Sequence, residues 1–180
     1  MLPDIDNRIN NLIKAVEKTI APAIDPENGL AQEQAALVVG HLKMLNTQWD
    51  KAYLFERGSF DNMKSLAGQL VAIVDGGQQT LKAKDALTTA LGDIPVELPL
   101  TPSGINKYTI AIGNLVDNLI NACYVDGSAA FKAALSELVL NYGEKQATRE
   151  RIWFNANGLD PDKAKLGSID DMLVSDAYRV

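Results

Sequence analysis

The chain has a single cysteine, Cys123, and a single histidine, His41. One cysteine rules out an intrachain disulfide, so the fold does not rely on an oxidising compartment. One histidine and one cysteine exclude zinc sites of the Cys/His type. They also exclude the paired Glu-x-x-His motifs of di-metal carboxylate bundles. No apolar run approaches the roughly 20 residues that span a bilayer. The Met1–Asp6 stretch is acidic and lacks the apolar core of a secretory leader, so the sequence reads as cytoplasmic. Aromatic residues are scarce at 6%. There is no Walker-type phosphate loop, no Gly-x-Gly-x-x-Gly turn and no Gly-x-Ser-x-Gly elbow. Asp160-Pro161-Asp162 begins like a calcium loop, but Lys165 stands where that loop needs glycine. No cofactor is expected.

What is present is ordinary for a globular chain: 180 residues, 47% hydrophobic and 22% charged. That length suits one domain, residues 1–180, able to bury a real core. A formal charge of −6 argues against nucleic acid or an anionic membrane as partner.

Apolar periodicity predicts an all-α, four-helix-type bundle. The long helices are expected at about 4–21, 30–57, 102–125 and 129–155, and shorter ones at about 60–75 and 79–91. In the first, Ile5, Ile9, Leu12, Ile13, Val16 and Ile20 share one stripe, and Pro22 should kink or end it. The second carries a heptad seam of Ala35, Val38, Leu42, Leu45, Trp49 and Ala52, flanked by Leu37, Met44 and Phe55. Its polar sector is narrow, which marks it as the central helix, roughly 40 Å long. Gly58 is expected to close it and Ser59 to cap the next. The fifth helix bears a second seam, Ile105, Tyr108, Ile112, Leu115, Leu119 and Ala122, with Asn114, Asn118 and Asn121 opposite. Three prolines in 93–102 forbid a helix interior there. Ile94, Val96, Leu98 and Leu100 alternate, so this stretch is expected to be an extended strap with one apolar face. Beyond Gly158 the pattern predicts a short helical tail, 159–180, with a helix start at Ser168.

Two places break the pattern. His41 lies beside the apolar seam and is expected to be half-buried. Histidine is the side chain that titrates near neutrality, so His41 could serve as acid, base or ligand contact; the plainer reading is a boundary residue. The sharper break is in the sixth helix. Its apolar face, Phe131, Leu135, Leu138, Val139 and Tyr142, continues onto Lys145 and Arg149 before Ile152 and Trp153. Cations at core positions violate patterning, and such violations gather at functional sites. The structural alternatives are a helix break at Gly143, a helix that runs past the bundle end, or an internal carboxylate partner for Arg149. Functionally, Lys145 and Arg149 could hold an organic anion, with Tyr142 and Trp153 as apolar wall and His41 nearby.

Two functions follow from these features. The favoured one is a non-catalytic interaction or accessory protein that pairs with itself or another protein through its apolar helix surface. The other is a helical bundle that binds a small organic anion or acts on it as a catalyst, in a pocket between the second and sixth helices with the strap as lid.

Overall fold

The computed structural model describes residues 4–180, and the chain is an all-α helical bundle with no strand among those residues. Met1–Pro3, part of the stretch read for a leader, lie outside them. No helix among the described residues is long and apolar enough to cross a membrane. Seven α-helices run in order: α1 Ile5–Ala15, α2 Gly29–Gln48, α3 Ala52–Ile73, α4 Gln78–Gly92, α5 Pro102–Asp126, α6 Ala129–Phe154 and α7 Ile169–Val174. Chain contacts divide into two compact units. The first runs up to Lys51 and includes Arg151–Gly167; the second comprises Ala52–Glu150 and Ser168–Val180.

In the first unit α1 and α2 pack against each other. Asp4 caps α1 by accepting the Asn7 amide at 2.8 Å, and Asn28 caps α2 by accepting the Ala31 amide at 3.1 Å. Such side chains satisfy amides that have no partner inside the helix. The first helical segment is irregular before Pro22 and ends just after it, at Ala23. A π-helical turn, Val16–Ile20, passes into a 3₁₀ turn, Ala21–Ala23, with Pro22 among its first residues. Early in a turn the missing proline amide costs nothing. Trp49 Nε1 donates to Asp6 Oδ1 at 2.8 Å, and Lys43 pairs with Glu17 at 2.7 Å, so α2 is tied to the first helical segment near its end.

The expected central helix is not central. Ala35 is the only residue that α2 buries, while Leu37, Val38 and Leu45 stay 46–49% exposed. The seam was read correctly as apolar, but this unit supplies no second layer to cover it. The expected break at Gly58–Ser59 is also absent. A 3₁₀ step at Trp49–Lys51 separates α2 from α3, and α3 continues through Gly58 and Ser59. Gly58 lacks the left-handed backbone of a terminal cap, and Ser59 Oγ donates back to the Phe55 carbonyl at 3.1 Å.

The core of the second unit is built on α3, α4, α5 and α6. Phe60, Leu66 and Leu70 of α3 join Leu87, Ile105, Ile112, Leu119, Phe131 and Leu135. The α5 seam is as expected: Ile105, Ile112 and Leu119 are buried and Asn114, Asn118 and Asn121 exposed. The strap alternates differently from the expectation. Ile94 and Leu98 pack on the core, whereas Val96 and Leu100 point to solvent. Four-residue spacing, not two, brings the strap back to the core. Cys123 is a buried core residue, and burial raises its thiol pKa.

One joint fixes the α4–α5 pairing. The Asp126 carboxylate accepts the amides of Gln79 at 2.8 Å and Thr80 at 3.0 Å, and the Thr80 hydroxyl at 2.6 Å. The C-terminus of α5 thus caps the N-terminus of α4, and these hydrogen bonds, led by that of Thr80, lower the Asp126 pKa. Gly76 and Gly127 pass so closely that a Cβ at Gly76 would lie 2.7 Å from Gly127 Cα.

Two predictions follow from these contacts. Thr80 is fully buried, so Thr80→Val should lower stability by about 1.5–3 kcal/mol in urea unfolding, the worth of a hydrogen bond to a charged group. In the first unit, Arg151 donates two hydrogen bonds to Asp160, at 2.8 and 2.9 Å, which hold the Asp160 pKa down to about 2. A depressed carboxylate adds stability above its unfolded pKa, and that stability is lost as pH falls through about 2. The midpoint of Asp160 by carboxyl carbon NMR should rise toward the ordinary aspartate range in Arg151→Gln.

Candidate functional site

The second unit holds the one buried cation that the sequence singled out. Its apolar stripe along α6 continues without a break at Gly143, so the helix phase carries Arg149 inward, to 3% exposure. α3 makes room for it with a missing side chain. A Cβ at Gly58 would lie 2.6 Å from Arg149 Nη2 and 3.1 Å from Cζ. The guanidinium therefore lies against bare helix backbone. Nη2 donates to the Phe55 carbonyl at 3.0 Å, and Cζ sits 5.3 Å from the Phe55 ring centroid, within the range of a cation–π contact.

The charge itself is not answered. No carboxylate among the described residues forms an ion pair with Arg149, and its Nε is buried without a hydrogen-bond partner. Burial lowers the Arg149 pKa, and the neighbouring Arg179 lowers it further; Tyr142 and Asp61 oppose the shift.

Arg149 lines a cavity of about 270 Å³ bounded by α3, α6, α7 and the chain end. Arg57 and Arg179 line it too, with Asp61 and Asn62. Leu54, Met172 and Leu173 give it an apolar side. Arg57 is paired with Asp61 at 3.0 Å, and Arg179 lies 3.3 Å from Asp176. Three arginines line this small space with one acidic side chain, Asp61.

The wall formed by the tail is tied down residue by residue. Asn62 Nδ2 donates to the Tyr178 carbonyl at 2.9 Å, and its Oδ1 accepts the Val180 amide at 3.1 Å. Ser65 Oγ donates to the Val180 carbonyl at 2.8 Å. Lys145, half-buried, donates its ammonium to the Arg179 carbonyl.

Of the five side chains singled out in sequence, then, Arg149 alone lines this cavity. Lys145 secures the backbone of the tail. Tyr142 lines a separate, open cavity of about 400 Å³ in the same unit, with Phe55, Met63, Gln146 and Glu150; burial raises its phenol pKa, and Glu150 adds to the effect. Trp153 is buried in the first unit, where its carbonyl accepts Gln48 Nε2 at 2.8 Å. His41 is exposed on α2, not half-buried as expected, because α2 is covered only thinly. No strap residue lines either cavity. Arg57, Asn62 and Arg179 escaped the sequence reading. The only signal for Arg57 was its place beside Gly58, which had been assigned to a cap.

No protein-family model matches the chain, and comparison with curated proteins and with solved structures finds no match either.

A buried charge without a counterion costs stability unless something else answers it. Removing Arg149 orphans no acceptor, since the Phe55 carbonyl still receives Ser59 Oγ. Arg149→Met should therefore fold and gain stability by about 1 kcal/mol, read from its urea midpoint. A loss of about 3 kcal/mol would make Arg149 a structural residue.

Proposed function

We propose that this protein acts by docking rather than by catalysis, and that the α1–α2 hairpin pairs with the same hairpin of a second copy. One observation carries the reading: the hairpin leaves its apolar residues uncovered. On α2, Leu30 is 70% exposed and Leu37, Val38 and Leu45 nearly half. These fall seven to eight residues apart, one line along the helix. On α1, Ile5 and Leu12 repeat the seven-residue spacing, 48% and 54% exposed. Exposed apolar surface of this extent marks an interaction site.

A second copy suits the surface for two reasons. Two helices cannot enclose a core, but two hairpins together supply the four helices of a bundle. The charges on the pair are mixed in sign, with Arg8, Lys14, Glu17 and Lys18 against Glu33, Lys43 and Asp50. Identical hairpins therefore meet without a single-sign field between them. A different helical protein is the other occupant such a surface would take.

Sedimentation equilibrium at micromolar concentration tests this. The wild type should run at twice its 19.5 kDa. Leu37→Glu and Leu45→Glu should each weaken the dimer by about 100-fold or more, because a carboxylate would be buried without a partner. Their helical circular dichroism should not change. A wild type that stays monomeric overturns self-pairing.

A further inference from the structure

We infer that the Arg149 cavity binds a small organic carboxylate, its carboxyl group held by Arg149, Arg57 and Arg179 and its apolar body lying against Leu54, Met172 and Leu173. The observations behind this are independent of the hairpin. Arg149 is 3% exposed, has no ion-pair partner among the described residues, and keeps a buried Nε with nothing to donate to. Two more arginines line the same space of about 270 Å³.

Each of those arginines has its own local acid, Asp61 for Arg57 and Asp176 for Arg179, whereas Arg149 has only a neutral carbonyl. The uncompensated charge is therefore the innermost one. An anion entering the cavity would supply the missing charge beside the guanidinium. Guanidinium is the side chain best matched to a planar carboxylate, through parallel hydrogen bonds.

The lining decides the class of anion. An inorganic phosphate would meet cations on one side but leave the Met172 and Leu173 side without polar contact. A carboxylate on a short apolar chain satisfies both. The volume, equal to that of roughly nine waters, limits the ligand to a small one.

Gly58 belongs to the same site. Its missing Cβ is what allows the guanidinium to lie flat on α3, so it positions Arg149 without touching the ligand.

Titration of the full chain with hexanoate, hexanol and inorganic phosphate, followed by amide and arginine Nε–H NMR, tests the proposal. Hexanoate should bind at one saturable site and shift the Gly58 and Asn62 amides and the Arg149 Nε–H. Hexanol and phosphate should each bind about tenfold more weakly or worse. Arg149→Met should weaken hexanoate by about tenfold or more. Gly58→Ala should weaken it less, by moving the guanidinium while keeping its charge. Should Arg149→Met fail to fold, Arg57→Gln/Arg179→Gln serves instead, since both side chains are about half exposed, and it should lose affinity by the same order. No saturable hexanoate binding overturns the proposal, as does equal binding by the variants. Phosphate binding as tightly as hexanoate also overturns it and makes the site one for inorganic anions. Leu37→Glu should leave hexanoate affinity unchanged, so the outcome is separable from that of hairpin pairing.

Discussion

A guanidinium cannot leave water unless its donors find acceptors and its face finds a surface. In the second unit that requirement falls on Arg149, and it shapes the two helices that meet there. α3 answers with a glycine, so that backbone rather than a side chain faces the charge, and with the Phe55 ring and carbonyl. A glycine within a helix costs about 1 kcal/mol relative to alanine. A helix that carries this cost next to an unpaired buried cation carries two penalties at one spot. The Phe55 carbonyl and ring offset part of this, but no carboxylate among the described residues pairs with Arg149, which is the physical ground for assigning a ligand.

The rest of the second unit is conventional by comparison and makes that spot rigid. The Asp126 carboxylate closes the N-terminus of α4 from the end of α5, and the near contact of Gly76 and Gly127 admits no side chain. Asn62 holds the tail through both its amide groups, and Lys145 holds the preceding carbonyl. The tail wall of the cavity is thus fixed by hydrogen bonds to α3 and α6, not by the apolar contact of Met172 alone. Preorganised walls reduce the ordering cost of taking up a ligand.

The sequence carried the fold class and most helix bounds because these depend on local signals. The α5 seam is legible since one unbroken face of that helix is buried. The helix start at Ser168 is legible since its side chain needs only an amide three residues on. The α2–α3 boundary was not. Gly58-Ser59 has the composition of a helix end, and only a residue 91 positions later explains why it is a helix interior. The candidate site divides the same way. Arg149 is legible as a cation in phase with an apolar face. Arg57, Asn62 and Arg179 come together only through the docking of the tail, and no periodicity encodes that.

The α2 seam teaches a different lesson. A heptad of apolar residues says that a helix face must be covered, but not by what. Reading it as the centre of its own bundle assumed that the cover lies within the chain. The first unit has only two long helices, and its buried apolar residues are Ile9, Ile13 and Ala35 on them with Ile152 and Trp153 from the end of α6. So small a core gains little free energy from burial, since each fully buried aliphatic side chain contributes roughly 1.5–3 kcal/mol, and ordering each residue costs about 1–2 kcal/mol. A hairpin on those terms is poorly supported by its own contacts. Covering Leu30, Leu37, Val38 and Leu45 would remove from water the apolar surface that the seam was built from. Pairing would then add burial to helices that the Asp4 and Asn28 caps already hold within one chain.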